Sequence, residues 1–222
     1  MNGKIKKIAF LGDSITAGAW VTKEEIYLSR VGTALCVQVQ NLGVSGTRIA
    51  RQSHHVALHP DAFDEEFIVR AKRIDKDADF VFVFGGTNDY GHGDADLGEF
   101  GDNTPYTFFG AAKMLADYLV AMFGRERLCF ILPLPRVGEE KPDGEGAPIK
   151  TKTVGPLVLY IRALKEVLDS MQIDYIDLRD KFPPEKLPML TADGLHPNAE
   201  GHKIIADEVI KYLTASRYGE NK

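Results

Sequence analysis

Five short apolar runs, separated by segments of helical period, restrict what this chain can fold into more than any other feature. They fall at residues 7–11, 37–42, Phe80–Phe84, 128–132 and 174–178. Runs of this length, bounded by turn-forming residues, read as strands buried on both faces, the pattern of a parallel sheet. Between them, Tyr27–Leu35 sets Tyr27, Leu28, Val31, Ala34 and Leu35 on one helix face. Residues 107–123 do the same with Phe108, Ala111, Ala112, Leu115, Tyr118, Leu119 and Met122. Residues 63–74, 156–171 and 198–213 complete the helical set. Such alternation predicts a three-layer α/β/α sandwich with right-handed crossovers. No repeat or interdomain linker interrupts it, so the 222 residues read as one domain, large enough for a core.

The chemistry-bearing residues lie at the two ends of the chain. The first apolar run leads into Gly12-Asp13-Ser14, and Asp193 stands three residues before His196. A nucleophile, a base and an acid that orients the base are the parts of a serine hydrolase. Ser14 is expected on the turn out of the first strand, with Gly12 permitting the turn and Asp13 pointing away from the reacting centre. A serine there also suits a helix cap. His196 is the candidate base, an imidazole being the side chain best suited to take and return a proton, and Asp193 would fix its tautomer. The plainer reading is a surface histidine beside a turn aspartate. His202 falls within a helical pattern and reads as structural or half-exposed. Two glycine turns, Asn41-Leu42-Gly43-Val44-Ser45-Gly46 and Phe84-Gly85-Gly86-Thr87-Asn88-Asp89, follow the second and third runs. A tetrahedral intermediate needs preorganised N–H donors. The Ser14 amide, a glycine amide of the first turn and the Asn88 side chain are candidates; a turn glycine and a strand-end cap are the alternatives. Asp89 is assigned to holding its loop and given no catalytic role.

In order, these four segments resemble the four blocks of the SGNH (GDSL-type) hydrolase superfamily, and the resemblance extends over residues 5–213. It implies a flavodoxin-like sheet of about five strands in the order 2-1-3-4-5. It favours Gly46 over Gly43 as the glycine donor, giving Ser14, Asp193 and His196 as catalytic residues and Ser14, Gly46 and Asn88 as the oxyanion hole. It implies an ester hydrolase that uses no metal or cofactor and works through an acyl-enzyme. Acetylated carbohydrates, short-chain acyl esters, lysophospholipids and thioesters are all compatible with it. The chain has no long apolar lid segment, so a short acyl group, acetyl above all, on a carbohydrate is expected. A lysophospholipase or thioesterase is the alternative. A non-catalytic ester- or carbohydrate-binding domain is the alternative of another class, and the presence of Ser14, Asn88 and His196 argues against it.

Composition excludes other classes. The net charge of −5 gives no basic field for nucleic acid. No apolar run approaches the ~20 residues of a membrane span. The first residues run into a strand without a signal-peptide core, which reads as cytoplasmic. The expected partner is a small-molecule or carbohydrate ester, and no pattern specifies an oligomer. Cys36 and Cys129 lack metal-type spacing and read as core thiols. His54, His55 and His59 lack the glutamate of a zinc helix, and Asp94, Asp96, Glu99 and Asp102 do not match a calcium loop. Two glycine- and charge-rich stretches, residues 90–105 and 136–152, follow strands. They are expected to rim the site at the carboxyl ends of the strands, the first with a negative edge that favours neutral substrates. Trp20 reads as a cleft-rim or loop-packing residue. Arg48 reads as a partner of the acidic loop or as a substrate contact.

Overall fold

The computed structural model describes residues 5–53, 65–142 and 155–218. Among them, five strands form one parallel sheet: β1 (Lys7–Gly12), β2 (Gln38–Gly43), β3 (Phe80–Phe84), β4 (Leu128–Ile131) and β5 (Asp174–Ile176), in the order β2-β1-β3-β4-β5. The helices are α1 (Ser14–Ala17), α2 (Tyr27–Leu35), α3 (Phe67–Ala71), α4 (Thr87–His92), α5 (Phe108–Phe123), α6 (Leu157–Met171), α7 (Leu187–Leu190) and α8 (Ala199–Tyr218).

Side chains alternate across a strand, so each central strand feeds two cores. Ala9, Leu11, Val81, Val83 and Phe130 pack with α3, α5 and α6 on one face. Ile8, Phe10, Phe80, Phe82 and Cys129 pack with α2 and α8 on the other. The result is the three-layer α/β/α sandwich that alternating strands and helices dictate. Among the described residues, no helix is long and apolar enough to cross a membrane.

Several expectations are corrected. The runs at residues 37–42 and 174–178 form edge strands rather than buried ones: β2 is exposed or half-buried throughout, and β5 buries only Ile176. Gln38, Gln40 and Asn41 suit water on an open edge. Cys36 is exposed, not a core thiol, and ends α2 at a φ of +54°. Cys129 is buried, and burial pushes its thiol pKa up. The helix expected at residues 63–74 is observed only as α3, with residues 63 and 64 outside the described residues. The stretch expected as a loop from residue 90 instead begins inside α4, whose residues are all buried.

Candidate active site

Three strand ends are flush. Gly12 of β1 pairs with Gly43 of β2 and with Phe84 of β3. The segments that leave these ends carry Ser14, Gly46 and Asn88, so the register brings all three segments to the same edge of the sheet. Ligands in open parallel sheets bind at this carboxyl edge, where the strand order reverses around β1.

Gly12 is required for close approach rather than for an unusual turn. A Cβ there would lie 1.9 Å from Thr16 Oγ1 and 3.0 Å from Phe84 O. Asp13 caps α1, its Oδ1 accepting the Ile15 N–H at 3.0 Å. Because α1 is a single turn closed by Gly18, its dipole acts on Ser14 only weakly. Burial raises the Asp13 pKa to about 6, opposed by the Ile15 amide. Gly46 has a φ of +75° at the third position of a turn closed by Thr47 N–H to Val44 O at 3.4 Å. That is the position where a type II turn needs glycine.

Ser14 Oγ lies 2.9 Å from His196 Nε2, and His196 Nδ1 lies 2.7 Å from Asp193 Oδ2. An ionised carboxylate only accepts, so Nδ1 carries the proton and Nε2 offers its lone pair to the serine hydroxyl. Asp193 Oδ1 accepts the backbone N–H groups of His196 at 2.8 Å and Leu195 at 3.0 Å. Burial works upward on the Asp193 pKa, but these hydrogen bonds and the ring outweigh it and hold the carboxyl below its usual range. The loop is pinned by a bridge between Thr191 and Pro197 and by Ala192 N–H to His196 O at 2.8 Å.

The other donors are also held. Asn88 is 4% exposed, and its Nδ2 donates to Thr47 O at 3.0 Å. Asp89 accepts the Ile49 and Ala50 N–H groups at 2.9 Å each, and burial raises its pKa to about 6. Among the described residues, the Ser14 and Gly46 amides have no acceptor.

Two arginines are buried here. Arg70 donates to Gly12 O at 2.8 Å, to Leu42 O and to Thr47 Oγ1 at 2.7 Å, joining the ends of β1 and β2 to the Gly46 turn. Burial lowers its pKa only to about 10, so it stays charged. Arg48 makes no hydrogen bond to the acids of the 90–105 stretch, although Asp94 favours its charge; its Nη1 donates to Gly46 O at 3.1 Å and lies 3.2 Å from His92 Nδ1. His92 had no signal of its own in the sequence. Only an i, i+4 relation to Asn88 on a helix would have marked it.

His202 is fully buried, not half-exposed. It stacks on Tyr27, accepts the Tyr27 N–H at 3.2 Å, and burial lowers its pKa to about 4. It is not the residue beside Ser14. In the expected negative edge, Glu99 is exposed and Asp94, Asp96 and Asp102 are half-buried; Asp94 accepts the Ser53 N–H, and Asp102 accepts from Glu99 N–H and Thr107 Oγ1. Of the 136–152 stretch, residues 143–152 lie outside the described residues. The remainder packs on the loop of Asp193 and His196 through Val137 N–H to Gly194 O at 2.9 Å. Trp20 is 71% exposed. Among the described residues, no group of three His, Cys, Asp or Glu is placed to hold a metal; His54, His55 and His59 lie outside them.

A serine, a histidine and an aspartate stand in line over the carboxyl edge of a sheet of this strand order, and the protein is of the carboxylic ester hydrolase class. The chain belongs to the GDSL-like lipase/acylhydrolase family, whose model matches residues 10–204. A solved protein from Lactobacillus plantarum is similar over 96% of this chain and 99% of its own, at 28% identity and a TM-score of 0.79. A lipase/acylhydrolase from Enterococcus faecalis shares the fold at 20% identity and a TM-score of 0.60, over 95% and 96% of the two chains. A member of the lipolytic G-D-S-L family from Veillonella parvula does so at 16% identity and a TM-score of 0.63, over 94% and 98%. No curated protein matches the chain.

Proposed function

We propose that this ester hydrolase cleaves short acyl esters, acetyl above all, through an acyl-enzyme on Ser14. The carrying observation is the unbroken line from Ser14 Oγ to His196 at 2.9 Å and from His196 to Asp193 at 2.7 Å. Ser14 Oγ attacks the ester carbonyl as His196 Nε2 takes its proton. Asp193 supports the imidazolium that forms. The Ser14 and Gly46 amides and the Asn88 side chain hold the alkoxide. Collapse of the intermediate breaks the ester C–O bond, and His196 returns the proton to the leaving alcohol. Water then adds to the acyl-serine with His196 as base, and the acid leaves.

A small acyl group suits a nucleophile only 6% exposed. The stretches beside the site are rich in glycine and charge rather than in apolar residues. Carbohydrates and other neutral alcohols are the leaving groups this favours. One observation favours a longer chain, as in a lysophospholipase or thioesterase: exposed Val137 is hydrogen-bonded to the triad loop itself.

Hydrolysis of p-nitrophenyl esters from acetate to palmitate, beside acetylated xylan fragments, separates these readings. Preference for acetate and release of acetate from xylan is the expected result; a rising rate with chain length favours the second reading. A fluorophosphonate probe should label Ser14 alone. Ser14→Ala should lose on the order of 10⁶ in kcat while remaining folded. Labelling elsewhere, or an active Ser14→Ala protein, removes Ser14 from the reaction.

A further inference from the structure

His92 takes no part in the steps above, yet it is 5% exposed and lies one turn beyond Asn88 on α4. Its Nε2 is 3.1 Å from Asn88 Oδ1, and its Nδ1 is 3.2 Å from Arg48 Nη1. The same guanidinium nitrogen donates to Gly46 O at 3.1 Å. We propose that Arg48 and His92 are positioning residues that set the direction of the Asn88 amide and hold the Gly46 turn. One buried cation thereby orients both donors that lie away from the nucleophile. The inference rests on the reading of Asn88 and Gly46 as oxyanion donors.

The direction of the amide follows from which groups can only donate. A guanidinium has no acceptor. His92 Nδ1 must therefore accept, which puts the ring proton on Nε2. That N–H needs an acceptor, so the Asn88 atom facing it is Oδ1. The Asn88 NH₂ group then points the other way. One of its hydrogens goes to Thr47 O at 3.0 Å, and the second remains for a ligand oxygen. Rotating the amide by half a turn would set two donors face to face at His92 and present a carbonyl oxygen to the developing alkoxide.

Arg48 itself points to the same role. It is 1% exposed, and its Nε and Nη2 have no hydrogen-bond partner among the described residues. Leaving two guanidinium nitrogens unsatisfied in the interior costs stability that an apolar side chain would not. Burial works against its charge, while Asp89, Asp94 and Glu66 favour it. The retained charge sits behind His92 and Asn88, polarising both toward the position where negative charge develops.

A kinetic cycle tests this on p-nitrophenyl acetate with wild type, Asn88→Ala, His92→Leu and the double variant. His92→Leu should lower kcat by about 10–100-fold and leave KM within about twofold, since a misdirected donor matters only once charge develops. On the Asn88→Ala background the same change should alter kcat by less than about twofold, because the residue it acts through is gone. His92→Gln, which can accept from Arg48 and donate to Asn88, should keep kcat within about fivefold of wild type. An unchanged kcat in His92→Leu, or losses that multiply in the double variant, would overturn the proposal while leaving Asn88 in place. A wild-type kcat in Asn88→Ala would overturn the oxyanion reading, and this proposal with it. Imidazole ¹⁵N NMR of the wild-type protein requires no variant to fold for its readout. His92 should carry its proton on Nε2 alone, and the reverse tautomer or an imidazolium at neutral pH would sink the proposal.

Discussion

Asp193 sits unusually far out for a carboxylate proposed to orient a base: its side chain is 37% exposed. What holds it is not enclosure but three hydrogen bonds from its own loop, two from backbone and one from the His196 ring. Those bonds keep it ionised at acidity that would protonate a free carboxyl. Asp193→Ala should therefore lower kcat on the order of 10⁴, as loss of the orienting acid does elsewhere, with KM little changed. Steady-state kinetics on a short ester checks this; a loss below tenfold would show that the loop orients His196 without its carboxylate. At this scale, the sequence marked the residues that stand in glycine turns or short loops, namely Ser14, Gly46, Asn88, Asp193 and His196. It did not mark Arg70 or His92, and it singled out Arg48 without showing that it is buried. A buried arginine and a solvated one are the same letter, and only the fold determines whether a guanidinium meets water or backbone carbonyls.

Among the elements, α8 secures the loop that carries Asp193 and His196. Asn198 Oδ1 accepts the Glu200 and Gly201 N–H groups at 3.1 Å each, and its Nδ2 donates to Met189 O at 2.8 Å. One side chain thus caps α8 and ties it to α7, two residues after His196. Asn198→Ala should cost about 1 kcal/mol in urea unfolding, the usual effect of losing such a cap. It should also lower kcat more than the change Lys203→Ala at an exposed position of α8; equal kcat in the two would confine Asn198 to stability. The long helices were legible because their periodicity runs over many turns. α4 was not: six residues hold under two turns, and Gly91 and Gly93 read as loop. That one missed helix concealed the i, i+4 relation between Asn88 and His92. Apolar runs revealed the strands but not their rank in the sheet, since a run cannot show whether a neighbour lies on both sides.

At the scale of the molecule, the two cores meet through the sheet, and the face built by α2 and α8 contains a titratable group. His202 keeps a pKa of about 4 in the fold, against 6.5 for a free histidine. As pH falls below 6.5 the unfolded chain takes up a proton that the folded chain refuses until about 4. Stability is therefore lost across that window as pH falls. Asp13 and Asp89, raised to about 6, act in the opposite sense. His202→Gln retains an acceptor for the Tyr27 N–H and removes the titration. The stability advantage of wild type over this variant should shrink by ~3 kcal/mol between about pH 7 and about pH 4, read by urea unfolding. A difference independent of pH would mean that His202 binds its proton equally in both states. The separation of Ser14 and His196, 182 positions along the chain, has a further consequence. The site is a contact between elements near the two ends of the described fold, so synthesis of this domain must supply both before they can meet. Esterase activity in a synthesis reaction should therefore not accumulate gradually as the chain lengthens. It should appear only once α8 has emerged and docked, so that turnover itself becomes a clock for completion of folding.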